Sequence, residues 1–371
     1  ASLEDVAIDY KDLMFEFGEE LNYMPWRVLL ANNQEEVVKK ININNNQLNI
    51  GNKPLVFLHT HFHDQRFVQV NNIFINALRK LKRYRELLII DRIINKNWSI
   101  KIPRQPQNGI WRHANDSFRE LALLYKKNTS DVNIELIDNG HCWLGNHILL
   151  YDRPTNEWFN QDLANTSLIL MGNGDINHEG QLLQQNNLNV KPWIFWPRRP
   201  FIIEKFLENN KAKLYHERTT ESIFIGNIEN SVQNQYRNSQ YNWENVLDVY
   251  YCTQGTQHKF SQEEYLQQLA NAKYGLCLRG YGSKCHREVE LMAVGTVPII
   301  TESVSIESYM NPPTENVHYI RCNNPENLKT ILSNISQEEW EDMSKKCYDW
   351  YQKNVHSKNS FKNFLTNILY N

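Results

Sequence analysis

The stretch Tyr274–Ile300, YGLCLRGYGSKCHREVELMAVGTVPII, decides the reading of this chain. Its first five residues predict a buried strand, because a short apolar run that opens into a polar, glycine-bearing segment needs cover on both faces. Arg279-Gly280-Tyr281-Gly282-Ser283-Lys284 follows, and its two glycines let the backbone turn tightly and approach a ligand closely. The spacing then predicts a helix over Arg287–Val294, with Gly295 as its C′ residue, and a strand over Val297–Ile300 that carries Pro298 at or near its start. Strand, loop, helix and strand in this order form the unit of a parallel α/β sheet. The N-terminus of that helix favours an anion, and Arg279, Lys284 and Arg287 are cations around it, which suits a diphosphate. Glu290 lies one turn beyond Arg287 on the same helix face, where a carboxylate can accept hydrogen bonds from a ribose diol. Taken singly, each of these residues reads as an ordinary loop or surface residue; the argument rests on their concentration in one unit.

Outward from this stretch the same alternation continues. Upstream, Ser222–Ile225 and Leu247–Tyr251 predict strands, and Gln262–Ala272 an amphipathic helix. Downstream, Pro325 to Tyr370 reads as helices, with Ser336 as an N-cap and Glu339 completing a capping box. Pro192, Pro197 and Pro200 break the pattern and lead into this half. In the first half, Leu55–Leu58, Leu87–Ile90, Ile134–Ile137 and Ser167–Met171 predict strands, and Phe67–Tyr84 and Ser117–Lys127 helices. The polar loops that follow those strands lie where ligands bind in parallel sheets. The expected division is an N-terminal α/β domain over residues 1–191, a ligand-binding domain over 192–345, and a C-terminal helix over 346–371 that packs back on the first domain.

The 371 residues suit two domains of roughly 150–200 residues each. A hydrophobic fraction of 41% and a charged fraction of 22% support packed cores rather than disorder. A net charge of −2 leaves no global positive field, which argues against a nucleic-acid partner. The six cysteines form no Cys-x-x-Cys pair, so neither a zinc site nor a dense disulfide framework is expected. No apolar run reaches the ~20 residues that span a bilayer. The chain starts at Ala1-Ser2, which leaves room for a leader or anchor ahead of it, and both the cytoplasm and a secretory lumen stay open.

The residues Arg279-Gly280, Arg287, Glu290, Gly295 and Pro298 also stand at the spacing RG-x6-R-x2-E-x4-G-x2-P, which resembles the signature of exostosin-type glycosyltransferases. Ser222-Ile223-Phe224-Ile225-Gly226, with Arg218 before it and Arg237 after it, is similar to that family's strand-then-glycine segment. Tyr265 and Leu269–Tyr274 fit as well, and the resemblance covers roughly residues 215–350. It implies a GT-B fold, two facing Rossmann-like domains with parallel sheets, and metal-independent transfer of a sugar with inversion. It further implies a donor site built from Arg218, Gly226, Arg237, Arg279, Gly280, Gly282, Ser283, Lys284, Cys285, Arg287 and Glu290. Two residues depart from the family's pattern: Leu278 stands where it usually has Pro, and Cys285 where it usually has Ser. The motif is also close to that of CAP10-like protein O-glucosyl- or xylosyltransferases, and a non-catalytic glycan- or nucleotide-binding protein is the alternative from another class.

On this reading the partners are a nucleotide sugar, UDP-sugar favoured over GDP-sugar, and a glycan or glycoprotein acceptor, with no cofactor and no metal. Inverting transfer needs a base for the acceptor hydroxyl. His59, His61, His63 and Asp64 follow the first strand, and His61, His63 and Asp64 are the leading candidates. The same histidines read alternatively as a metal site or as a polar surface loop. Asp138, His141 and Asp175 are second candidates. The tryptophans of the first half read as core residues before they read as a sugar-stacking surface.

Overall fold

The computed structural model describes residues 27–31, 55–59, 79–80, 82–95, 97–108, 113–151, 159–172, 178–193, 197–238, 241–255, 258–280, 282, 284, 286–307 and 309–370. The chain divides into two compact units. One comprises residues 1–171, 176–191 and 361–371; the other comprises residues 172–175 and 192–360.

The first unit contains a parallel pair, β1 (Arg27–Ala31) beside β2 (Leu55–His59), in register Arg27 to Leu55. Helix α1 (Tyr84–Asn95) leads to β3 (Trp98–Pro103), and helix α2 (His113–Asn128) to β4 (Val132–Ile137). The hairpin strand β5 (Trp143–Leu144), β6 (Ile148–Tyr151), helix α3 (Phe159–Leu163), β7 (Leu168–Met171), helix α4 (His178–Gln185) and β8 (Val190–Pro192) complete it. The sheet order is β4-β3-β5-β6-β7-β8. Strands β3 and β4, and β6 and β7, pair in parallel, while the two-residue β5 runs against both its neighbours. Strands β6 and β7 are buried throughout, as strands covered on both faces must be.

Two expectations in this unit change. Leu87–Ile90 is not a strand but the middle of α1. A four-residue apolar run fits a buried strand or the buried stripe of a helix equally, and Leu87 and Leu88 serve the latter at 1% and 2% exposure. Strand β3 was not anticipated, although Trp98, Ile100 and Ile102 alternate with Ser99 and Lys101 at the period of a strand, and the first three are buried.

The second unit begins at helix α5 (Pro200–Asn209), whose first turn holds Pro200, where the missing N–H costs no helical bond. Strand β9 (Thr220–Ile228), helix α6 (Ser231–Arg237), β10 (Val249–Gln254), helix α7 (Gln262–Ala270), β11 (Ala272–Cys277), helix α8 (His286–Ala293), β12 (Val297–Ile300) and β13 (Ile320–Arg321) follow. Helices α9 (Pro325–Ser333) and α10 (Gln337–Asn354) come next, and α11 (Ser357–Tyr370) closes the chain, its residues from Phe361 onward belonging to the first unit. All pairings of this five-stranded sheet are parallel, in the order β10-β9-β11-β12-β13. Counted within the unit, that order is 2-1-3-4-5, a doubly wound sheet whose strand order reverses between β9 and β11.

Local chemistry fixes the ends of these elements. Ser261 caps α7 and Glu264 reaches back to Ser261 N–H, and Ser336 and Glu339 do the same for α10. Gly295, at φ +70°, closes α8 in a Schellman turn: Thr296 N–H bonds Leu291 O at 3.0 Å, and Gly295 N–H bonds Met292 O at 3.1 Å. Gly275 lets α8 lie directly on β11, because a Cβ there would stand 2.3 Å from Leu291 Cδ2. Cys142, Cys277, Cys322 and Cys347 are buried, and Cys252 is half-buried. Among the described residues no helix is long and apolar enough to cross a membrane.

Candidate functional site

In a doubly wound sheet a crevice forms at the carboxyl ends of the two strands between which the order reverses. Here the last residues that pair across β9 and β11 are Ile223 and Gly275. Strand β9 continues beside β10 as far as Ile228, so β9 and β11 part company for their final residues. Ile225 and Asn227 lie two apart, so their carbonyls leave β9 on the same side. Two guanidiniums take up the carbonyls at this split. Arg237 donates from Nη1 to Asn227 O at 2.8 Å, from Nε to Arg279 O at 3.0 Å and from Nη2 to Leu278 O at 3.4 Å. Arg287 donates from Nη2 to Ile225 O at 2.8 Å. Both stand over the ring of Phe224, at 5.6 Å and 4.5 Å from its centroid. Gly226 makes room for this, since a Cβ there would come within 3.0 Å of Arg287 Nη2 and 2.8 Å of Phe224 Cζ.

Arg237 is thus a staple beneath the crevice, 4% exposed, with its donors spent on the backbone of the loop that it steadies. Above it the loop carries Arg279, which is half-buried. Among the described residues its enclosed Nε has no hydrogen-bond partner, while the guanidinium lies 5.7 Å from the ring centre of Tyr236. A buried donor left unmade costs about 1–3 kcal/mol, so a feature of this kind calls for an explanation. Gly280 follows, and its neighbour two residues on, Gly282, has only Lys284 backbone atoms near the position of a Cβ, 3.8 Å away or farther. Lys284 stands over Tyr309 at 5.1 Å. Burial pulls its ammonium down to about 8, against the opposing pull of Glu288 and Glu307. Ser283 and Cys285 lie outside the described residues.

Arg287 and Glu290 are interior groups, 8% and 4% exposed. Burial raises the Glu290 carboxyl, and Tyr265, Arg287, Gln262 and Arg198 pull it back. Gln262 Nε2 donates to Glu290 Oε1 at 3.4 Å. The Tyr265 hydroxyl, raised by burial, faces both Glu290 and Arg287. His258 stacks on the Tyr265 ring at 5.4 Å and 21°. Sequence reasoning placed Tyr265 only as part of a pattern and missed Gln262 and His258. Their sole signal was position at the start of the crossover helix after β10.

Arg218 is the sequence-predicted donor residue that the fold sets apart. It precedes β9 and bonds Ala272 O at 2.9 Å, Thr296 Oγ1 at 2.8 Å, Val294 O at 2.9 Å and Lys213 O at 3.1 Å. Those partners stand at the starts of β11 and β12, so Arg218 lies at the amino edge of the sheet, opposite the crevice. Its guanidinium also stacks 4.9 Å from the ring centre of Trp340. A cavity of about 200 Å³ lies at this same edge, lined by Phe206, Lys211, Lys213, Gln267 and Val294 among others. It contains none of the predicted donor residues and faces away from the strand ends where doubly wound sheets bind ligands.

His61, His63 and Asp64 lie outside the described residues, as does Asp175. Of the second candidates, Asp138 is exposed, and its side chain pairs with Arg104 at 3.8 Å. His141 is fully enclosed, with Nδ1 2.8 Å from Asp162 Oδ2. The loop that holds it is fixed by Asn115, whose Nδ2 donates to Gly140 O at 3.0 Å and whose Oδ1 accepts from Cys142 N–H at 2.8 Å.

No protein-family model matches the chain, and no curated protein matches it in sequence. Among solved structures it is similar to the N-terminal domain of trehalose-6-phosphate phosphatase from Candida albicans, at a TM-score of 0.39 and 10% identity, covering 92% of this chain and 89% of that one. It is also similar to an alpha-glucosyltransferase solved with UDP and a 13-mer DNA, at a TM-score of 0.33 and 11% identity, covering 92% of this chain and 95% of that one. Likeness at this level says nothing about activity.

Proposed function

We propose that this chain is a glycosyltransferase that holds a nucleoside diphosphate sugar, UDP-sugar in preference to GDP-sugar, in the crevice between β9 and β11. It moves the sugar to a hydroxyl of a glycan acceptor with inversion and without a divalent metal. The observation that carries the reading is Arg279: a cation at the crevice mouth whose buried Nε has no hydrogen-bond partner among the described residues. A diphosphate would pair with the exposed part of its guanidinium, a charge-assisted contact. Lys284 and Arg287 flank the same loop, and the N–H groups that open α8 add their dipole. Such fixed cations stabilise a diphosphate as it leaves, which is the charge that develops in the transition state.

Gly226 and Gly280 belong to this reading as points where the backbone must come close, and Arg237 as the support beneath them. The base is assigned to His61 or His63 with Asp64, on the polar loop that follows β2. The test is turnover of UDP- and GDP-sugars with and without chelator, in the parent and in Arg287→Ala. Loss of turnover by orders of magnitude in the variant is expected, and unchanged turnover overturns the assignment. A second reading, a nucleotide binder without turnover, draws on the enclosure of Glu290, which leaves its carboxylate 4% exposed. Saturable UDP binding with no transfer and no donor hydrolysis would favour it.

A further inference from the structure

His258 sits in the loop after β10, at the same carboxyl edge as the crevice. Its ring is held flat against Tyr265, at 5.4 Å and 21°, and tilted by 55° to Phe260 at 5.7 Å. Phe260 N–H donates to Nδ1 at 3.3 Å. Nδ1 therefore carries the lone pair, and the ring proton of the neutral imidazole sits on Nε2. Burial and the charges of Arg287 and Arg198 hold the imidazole below its ordinary range, so it is neutral at pH 7. The backing ring continues the wall: the Tyr265 hydroxyl faces Glu290 and Arg287. His258, Tyr265, Glu290 and Arg287 thus form a continuous run from the loop after β10 to the first turn of α8.

The cations Arg279, Lys284 and Arg287 stand at the far end of that run and suit a diphosphate. A neutral N–H donor at the near end suits an uncharged acceptor. We infer that His258 reads the base of the bound nucleotide, donating from Nε2 to the carbonyl oxygen at C4 of uracil or C6 of guanine. This rests on the donor-site reading given above. Cytosine and adenine offer an amino group in place of that oxygen, so donor would meet donor, and such mispairing is where discrimination is strongest.

The experiment measures affinities of the full chain for UDP, GDP, CDP, ADP and inorganic diphosphate, in the parent and in His258→Phe. Phenylalanine keeps a flat ring on Tyr265 and removes the donor. One hydrogen bond supports a preference of about tenfold for UDP or GDP over CDP and ADP. In His258→Phe that preference should fall to within about twofold, with the affinity for inorganic diphosphate unchanged. UDP and GDP separate the two keto bases from each other. A parent without keto preference, or a variant that retains it, overturns the inference while leaving the donor site standing. Failure of every ligand, inorganic diphosphate included, overturns the donor-site reading itself. His258→Leu replaces the Phe variant if the latter does not fold.

Discussion

Two arginines at opposite edges of one sheet show how differently the same side chain is used. Arg218, at the amino edge, places its donors on three carbonyls and a threonine hydroxyl and lays its face on Trp340. Burial pulls it down to about 10, which still leaves it charged at neutral pH. Arg279, at the carboxyl edge, has an enclosed Nε with no hydrogen-bond partner among the described residues. The first guanidinium ties the starts of β9, β11 and β12 to the end of α8 and is complete without a ligand. The second is incomplete in the folded chain. Saturation of a buried cation by the backbone marks a structural tie, whereas an unmet donor at a strand-order reversal marks a place for an anion.

The comparison breaks most readily at Arg218. Arg218→Ala removes the hydrogen bonds to Lys213 O, Ala272 O, Val294 O and Thr296 Oγ1 together with the face on Trp340, and should cost about 3–5 kcal/mol of stability. Urea denaturation measures this, and a cost below about 1 kcal/mol would remove the structural half of the comparison. A smaller effect sharpens the other half. Lys284 must be charged to hold an anion and loses its proton as pH rises through about 8. Affinity for UDP should therefore weaken by a few-fold between pH 7 and pH 9, and Lys284→Arg, charged throughout, should flatten that decline. A decline of equal size in the variant would remove Lys284 from the site.

Much of the second unit could be read in the residues themselves. Gly295, Ser261 with Glu264, and Ser336 with Glu339 act through neighbours within a few positions, so their roles follow from local chemistry. Val297–Ile300 is apolar without interruption because it is buried on both faces. Leu87–Ile90 misled because a short apolar run has no period of its own. The partners of Arg218 and Arg237 were out of reach for another reason. Apart from the Thr296 hydroxyl they are backbone carbonyls, up to 76 residues away, and a carbonyl has no signature in sequence. Proximity of residues to the Arg279–Glu290 motif therefore located the site, but did not separate the arginines that steady it from the one that awaits a ligand. His258 and Gln262 were invisible until the fold laid α7 against α8.

The most direct measurement is calorimetric titration of UDP, in the presence of EDTA, into the parent chain and Arg279→Ala. The account predicts saturable binding by the parent, a loss of about tenfold or more in affinity in the variant, and a nearly unchanged unfolding midpoint, because the Arg279 guanidinium contributes its contact with Tyr236 rather than backbone ties of the kind Arg218 makes. Equal affinity in the two proteins, or no binding of UDP or GDP by the parent, would contradict it.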